Sequence, residues 1–213
     1  MRQNIPGTLV KNLTKDLVMG INESLFAGAE RAYVRARHDA TGHRSSILGN
    51  MRHWCMNEEF YKSLLANGCT PSPLKGNNLV TGKSGIFNIG RINDNNVSWN
   101  NLTRAKTRQR LAEHNRFIES LVQPSLFGDP DDIPTATVFF LARFSGSFSE
   151  QPEAPLSIEL VVPSHDMRSW LFREDIASFL ARYEPAIAQS DKALPKLKSN
   201  KIKKMEQRNK LNE

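Results

Sequence analysis

Residues 136–144 read ATVFFLARF, an almost unbroken run of apolar and β-branched side chains. A run of this length without polar alternation is typical of a strand that is buried on both faces of a sheet. A second run, LSIELVV at residues 156–162, follows a polar loop at residues 145–155. Antiparallel pairing is the simplest arrangement for two strands joined by such a loop. The sequence therefore predicts a small antiparallel sheet in the C-terminal half of the chain.

Helical periodicity dominates the first third of the chain. We predict a first long helix that starts with Asn22 or Ser24 as its N-cap and runs to about His38. A second helix is predicted at about residues 45–66, where apolar side chains again recur at helical spacing. Residues 69–84 are rich in glycine, proline and asparagine, which indicates a loop.

Three further elements complete the pattern. Residues 85–99 are predicted to form a hairpin that turns at residues 93–96. A third helix is predicted at residues 102–122, because Pro124 follows and the residue before a proline avoids helical geometry. A last amphipathic helix is predicted at residues 170–183. This order of elements predicts an α+β fold with a helical N-terminal half.

The 213-residue chain carries a net charge of +7, most of which lies in residues 191–213. That stretch has seven Lys and one Arg against three acidic residues, and it has too little apolar material to build a core. The sequence therefore predicts a single α+β domain at residues 1–190, followed by a basic, flexible tail. The tail would add weak, salt-sensitive contact with nucleic acid.

A second group of basic residues crowds the first half of the third predicted helix. Its members are Arg104, Lys106, Arg108 and Arg110. These side chains could contact phosphates, but alternating positions point to different faces of a helix. A solvated helix face is the simpler interpretation.

Cysteine content and hydropathy exclude several protein classes. Cys55 and Cys69 are too few for a disulfide scaffold. The longest apolar run, residues 138–142, has the length of a strand, so no membrane contact is expected. Residues 1–7 lack the apolar core of a signal peptide. We therefore expect a cytoplasmic protein.

One short motif stands out between the third helix and the first strong strand. It is the pentapeptide QPSLF, in which Gln123, Ser125, Leu126 and Phe127 are the chemically constrained positions. The pentapeptide resembles the peptide by which bacterial polymerases, mismatch-repair proteins and clamp loaders dock on the DNA sliding clamp. That pattern is a Gln, a variable residue, Ser or Asp, then Leu and Phe, and all four constrained positions match here.

The resemblance implies a role for each side chain. Leu126 and Phe127 would enter an apolar groove of the clamp and supply most of the affinity. Gln123 would satisfy polar groups at the rim of the groove, and Pro124 would hold the peptide extended, so that less entropy is lost on binding. A Gly-Asp-Pro-Asp-Asp run follows, which favours an exposed loop. The alternative is that Leu126 and Phe127 are core residues where the chain enters the sheet.

The rest of the chain does not resemble a polymerase, a ligase or a mismatch-repair protein. A small basic α+β protein with such a peptide is similar to the toxins of toxin–antitoxin pairs that occupy the clamp groove and block replication elongation. This resemblance implies the DNA polymerase III β sliding clamp as the partner, and an antitoxin that delivers the toxin to a protease. It implies an interaction protein without cofactor or metal rather than an enzyme.

Two alternatives place the function elsewhere. The first is a small nuclease or RNase site in residues 35–44, with His38 or His43 as general base and Arg44 or Arg37 stabilising the phosphorane. The simpler interpretation of that segment is a polar connection between two helices. The second alternative is a DNA-binding module that relies on the basic tail.

Four residues of the N-terminal half are of types that suit zinc, namely His38, His43, His53 and Cys55. Their spacing matches no established zinc finger. On a helix, moreover, two residues at positions i and i+2 diverge, as His53 and Cys55 would. The sequence therefore predicts no metal site here.

A metal-dependent PD-(D/E)xK nuclease would need a carboxylate pair and a lysine on adjacent strands. Asp131 or Asp132 with Glu159 could supply the pair, but Val161 stands where the lysine belongs. Glu159 is more simply an outward-facing strand residue. The three tryptophans are predicted to lie in the core: Trp54, Trp99 and Trp170.

Overall fold

The computed structural model describes residues 4–94, 104–122, 135–144 and 152–184. The helices in these ranges are α1 (Ile5–Asn12), α2 (Lys15–Ala36), α3 (Thr41–Ala66), α4 (Lys106–Glu113), α5 (Arg116–Val122) and α6 (Ile176–Leu180), which continues into a 3-10 turn at Ala181–Tyr183. The strands are β1 (Gly82–Ser84), β2 (Phe87–Asp94), β3 (Ala136–Arg143), β4 (Ser157–Pro163) and β5 (Trp170–Asp175). This mixture of helix and sheet agrees with the predicted α+β class.

The first long helix starts earlier than the sequence indicated. The hydroxyl of Thr14 caps α2 by accepting a hydrogen bond from the backbone N–H of Leu17 at 3.2 Å. Asn22 and Ser24, the predicted caps, lie inside the helix, and the Ser24 hydroxyl donates to the carbonyl of Ile21 at 2.8 Å. A residue type that often caps helices can also hydrogen-bond to a backbone carbonyl inside a helix, so its presence alone does not mark the start of the helix.

Helices α2 and α3 form an antiparallel pair that supports the sheet. The two helices approach closely at Gly28, where an added Cβ would lie only 2.7 Å from the Cα of Met56. Farther along, Ala32 and Ala36 pack against Leu48, and all three are buried. Small side chains on α2 therefore set the distance between the two helices.

The sheet has the strand order β1-β2-β3-β4-β5 and is mixed rather than antiparallel. Strands β2 and β3 pair in parallel, with Phe87 beside Ala136 and Asp94 beside Arg143. The other neighbouring pairs are antiparallel. A parallel pair needs a crossover of a dozen or more residues, and the chain between β2 and β3, which includes α4 and α5, is long enough. The sheet also extends to β1 and β2, outside the predicted C-terminal half.

The predicted hairpin at residues 85–99 turns at a different place. Gly85 has a positive φ of 53° and begins the turn between β1 and β2. The predicted turn residues Asn93 and Asp94 belong to β2. For Asn93 and Asp94 the predicted turn was wrong, because a polar Asn-Asp run can also end a strand, whereas only a glycine readily adopts the positive φ at residue 85. Asn95 and Asn96 lie outside the described residues. Val97 and Trp99 lie outside the described residues.

The single helix predicted at residues 102–122 is two helices. The helical conformation is interrupted at His114 and Asn115. The buried side chain of Asn115 donates to the carbonyl of Pro163 at 2.8 Å and accepts from the N–H of Thr137 at 2.6 Å. These hydrogen bonds to the sheet favour the interruption of the helix. Because they depend on residues distant in the chain, the local spacing of apolar residues does not predict them.

The C-terminal helix predicted at residues 170–183 is a strand in its first half. Strand β5 pairs with β4, and the carboxylate of Asp175 then caps α6 by accepting from the N–H of Ser178 at 3.0 Å. The apolar residues at helical spacing form a helix only from Ile176 onward, and Ile176 and Phe179 are buried there. The predicted limit between domain and tail, at residues 190 and 191, lies outside the described residues.

Besides the small cluster between α2 and α3, the core has two parts, one on each face of the sheet. The main cluster joins the N-terminal helices and α6 to alternate strand residues such as Phe87, Phe140 and Leu160. On the opposite face, Phe139 and Val161 belong to a smaller cluster against which Leu111 of α4 packs. Strand β3 is therefore buried on both faces, as predicted from ATVFFLARF.

Two predicted side-chain positions are wrong. Glu159 does not face outward: it is 9% exposed and lies between the guanidinium groups of Arg143 (3.2 Å) and Arg173 (2.6 Å). Trp54 is not a core residue, because it is 41% exposed and its indole N–H donates to the Oδ1 of Asn77 at 2.9 Å. In both cases a polar partner fixes the position, which hydropathy does not reveal. Of the other two predicted core tryptophans, Trp170 is half-buried beside the smaller cluster.

Candidate functional site

The clamp-like motif lies outside the described residues. The structure therefore gives no position for Gln123, Ser125, Leu126 and Phe127. It does describe the two elements that the motif connects: α5 ends at Val122 and β3 begins at Ala136.

Helix α5 is fixed to the sheet just before the motif. Glu119 accepts from the backbone N–H of His165 at 2.8 Å, and its second oxygen lies 2.6 Å from the Nδ1 of the same residue. Ile118 is buried in the main core cluster. The interruption between α4 and α5 is stabilised by the hydrogen bonds of Asn115. The chain thus leaves an anchored helix at residue 122.

The predicted RNase segment forms the connection between α2 and α3. His38 and His43 are exposed, and the Nε–H of Arg37 donates to the Nε2 of His38 at 3.0 Å. Arg44 donates to the carbonyl of Asp39 at 3.2 Å, a bond within the turn. The hydrogen bonds that the structure gives for these side chains are local, and none joins one imidazole to the other or to Arg44. A catalytic role of His38, His43 and Arg44 stays a prediction.

The side chains considered as zinc ligands lie in different parts of the structure. His53 of α3 faces a polar cavity, whereas Cys55 is buried against α2, with its sulfur 3.6 Å from the Nη1 of Arg35. Within the described ranges, no three His, Cys, Asp or Glu residues are grouped so that they could hold a metal ion. Of the carboxylates considered for a nuclease, Glu159 is engaged by two arginines, and Asp131 and Asp132 are outside the described residues.

A polar cavity of about 320 Å³ lies beside the part of β2 that extends beyond the short strand β1. We call it the arginine cavity. Its walls come from α3, from the segment before β1, from β2 and from the start of α4. The residues that line it are Gly49, His53, Asn77, Asn78, Leu79, Arg91, Asn93, Ala105, Thr107 and Arg108.

Arg91 is the most buried polar group of the arginine cavity, with 2% of its surface exposed. Its guanidinium donates to Asn57 Oδ1 from Nε at 3.1 Å and from Nη2 at 2.8 Å. It also donates to Asn93 Oδ1 at 2.8 Å and to the carbonyl of His53 at 2.6 Å. All of these acceptors are uncharged. The hydrogen bonds fix the orientation of the guanidinium and leave its positive charge in place.

The electrostatics of the cavity reflect two neighbouring cations. Burial, together with the charge of Arg108, lowers the pKa of Arg91 to about 9, so the side chain is still protonated at pH 7. Burial also lowers the pKa of Arg108. The pKa of His53 is lowered by burial and by the charges of Arg91 and Arg108, while the hydrogen bond to the Asn77 carbonyl opposes this shift. The arrangement therefore favours an anion in the cavity.

The start of α4 adds to the positive potential. Its first turn has no acidic residue, and its N-cap, Ala105, has no side-chain acceptor. Of the basic group in this region, Arg108 is half-buried and lines the cavity, whereas Arg104, Lys106 and Arg110 are exposed. The prediction of a solvated basic face therefore describes those three residues and was wrong for Arg108.

Sequence reasoning missed the arginine cavity as a site. One signal was present: Arg91 follows Phe87 and Ile89 at alternate positions of β2, so it continues the inward-facing series with a charged residue. Comparison of the chain with protein-family models, curated proteins and solved structures found no match. Evidence for function therefore comes from the residues of the chain itself.

Proposed function

We propose that this protein binds the DNA polymerase III β sliding clamp through Gln123, Ser125, Leu126 and Phe127. The observation that carries the proposal is the sequence QPSLF, in which all four constrained positions of the clamp-binding peptide are present in the required order. The protein acts as an interaction partner, and its effect on replication requires no chemistry of its own.

The side chains of the motif account for the affinity. Burying Leu126 and Phe127 in an apolar groove contributes about 1.5–3 kcal/mol each. Gln123 and Ser125 supply hydrogen bonds at the rim, where an unpaired buried polar group would cost about 1–3 kcal/mol. Pro124 restricts the free peptide to extended conformations and so reduces the entropy lost on docking.

Two features of the described residues support an exposed position for the motif. Both faces of β3 are already covered, by the N-terminal helices on one side and by Leu111 of α4 on the other. In addition, α5 is held to the sheet by Glu119 and Asn115. These described contacts around β3 support the proposal that Leu126 and Phe127 are available to the clamp.

Occupancy of the groove explains the toxin-like behaviour that the resemblance implies. Polymerases and repair proteins use the same groove, so a bound protein excludes them and stalls elongation. An antitoxin that delivers the protein to a protease would then restore replication by removing the competitor. A cytoplasmic location follows from this role, because the clamp is loaded on chromosomal DNA.

The direct test is binding of the full chain to purified β clamp by surface plasmon resonance. We expect the protein to bind and the double variant Leu126→Ala/Phe127→Ala to bind at least 100-fold more weakly, since about 3–6 kcal/mol of burial is lost and each 1.4 kcal/mol is tenfold. Gln123→Ala should cause a smaller loss.

The matched control is Leu156→Ala, which removes an exposed leucine outside the motif. It should bind as the parent protein does. Circular dichroism establishes that each variant is folded. Equal binding by the parent protein and the double variant, with both folded, would contradict the proposal.

A further inference from the structure

We propose that the arginine cavity binds a single phosphate group. The proposal does not depend on clamp binding. It rests on the position of two arginines, one histidine and the first turn of α4 around one cavity, and among the described residues that line this cavity none is acidic.

Arg91 provides the main reason for an anion. A buried cation is costly unless it is paired, and the hydrogen bonds that the structure gives for Arg91 all go to uncharged oxygens. Those bonds hold the planar guanidinium in one orientation at the wall of the cavity. A phosphate in the cavity would supply the compensating charge without breaking these hydrogen bonds. Charge-assisted bonds between arginine and phosphate are among the strongest that side chains make.

The start of α4 provides the second reason. A helix N-terminus is positive, and acidic residues normally stabilise it. Here Lys106 and Arg108 stand in the first turn, and Ala105 leaves the first backbone N–H groups without a side-chain cap. This combination is unfavourable for an isolated helix and becomes favourable when an anion binds. Thr107 adds a hydroxyl that can donate to a phosphate oxygen.

The cavity also limits the size of the ligand. Its volume of about 320 Å³ is at the small end of ligand pockets, which span roughly 300–1,000 Å³. Asn77 and Asn78 line the cavity and are exposed. Their amides suit a sugar or a base next to the phosphate. The class of ligand is therefore free phosphate, a nucleotide, or a single phosphate of a nucleic acid strand.

The test is isothermal titration calorimetry of the full chain with three probes: inorganic phosphate, a nucleoside 5′-monophosphate, and a short single-stranded DNA without terminal phosphates. We expect binding of at least one probe, and the tightest probe identifies the source of the phosphate. Arg108→Gln should weaken that binding at least tenfold.

The matched control is Arg110→Gln, which removes the same charge from an exposed position of the same helix. It should leave binding unchanged. Arg108→Lys, which keeps the charge but loses the fork of donors, should give an intermediate affinity and serves as the second variant if Arg108→Gln does not fold. The proposal is overturned if none of the probes binds at millimolar concentration, or if Arg110→Gln weakens binding as much as the substitutions at Arg108 do.

Discussion

Asn115 lies in the break between α4 and α5, where its amide joins two strands. It donates to the carbonyl of Pro163 in β4 and accepts from the N–H of Thr137 in β3, and the residue is fully buried. A hydrophobic side chain at this position would leave both backbone groups without a partner. The single amide therefore fixes the position of α5 and of the segment that follows it.

We expect Asn115→Ala to lower the free energy of unfolding by about 2–6 kcal/mol, because each of the two orphaned backbone groups costs about 1–3 kcal/mol. Urea unfolding followed by circular dichroism measures the change. Asn50→Ala, at an exposed position of α3, is the control and should have little effect. A loss below about 1 kcal/mol for Asn115→Ala would show that water or a rearranged neighbour replaces the amide.

His53 gives the protein a dependence on pH. Burial and the charges of Arg91 and Arg108 lower its pKa in the folded state, while the unfolded chain keeps the ordinary value of about 6.5. As the pH falls through about 6.5, the unfolded state takes up the proton first, so the folded state loses stability. We expect the free energy of unfolding to fall between pH 7.5 and pH 5.5, and to fall less in His53→Gln. Identical losses in the two proteins would contradict this role of His53.

At the scale of elements, the contact between α2 and α3 depends on small side chains. Gly28 allows the two helices to approach so closely that an added Cβ would lie 2.7 Å from the Cα of Met56 and 3.0 Å from its backbone N. These are backbone atoms, which cannot move aside as a flexible side chain can. The helices would have to separate.

Gly28→Ala is therefore expected to destabilise the protein by about 1–3 kcal/mol, the usual cost of overpacking, despite the better helix propensity of alanine. The control is Gly42→Ala in the first turn of α3, where no heavy atom lies within 4 Å of the added Cβ. That substitution should leave the melting temperature unchanged or raise it. If both variants melt at the temperature of the parent protein, the close approach does not stabilise the fold.

Elements with a strong local signal could be predicted from the sequence, and elements fixed by distant partners could not. The bodies of α2 and α3 follow from apolar spacing, and β3 and β4 follow from their β-branched runs. Strand β5 was predicted as a helix because its pairing with β4 decides its structure, and the break at Asn115 depends on groups of the sheet.

The two candidate sites also differ in how far the sequence alone could predict them. The QPSLF motif is contiguous, so the sequence alone shows it. The arginine cavity brings together Arg91, His53 and Arg108 from three elements that are far apart in the chain. An arginine in a strand and another in a basic helix give no sign that they share one cavity. Only the packing of α3 and α4 around β2 shows this.

At the scale of the whole molecule, the two proposed binding features belong to different parts of one chain. The segment that carries QPSLF connects α5 and β3, both of which are held by described contacts. The arginine cavity lies at the β2 side of the sheet and uses the start of α4. No helix in the described ranges has the length and apolar character needed to cross a membrane. The two features can be tested separately, because their residues do not overlap.

Clamp binding would affect replication only if it occupies the groove that polymerase uses. The most direct measurement is therefore displacement of a fluorescently labelled polymerase clamp-binding peptide from the β clamp, followed by fluorescence anisotropy. We predict that the full chain displaces the peptide and that Leu126→Ala/Phe127→Ala does not, while Arg108→Gln displaces it as the parent protein does. A full chain that is folded and leaves the labelled peptide bound at all concentrations would contradict the proposed function.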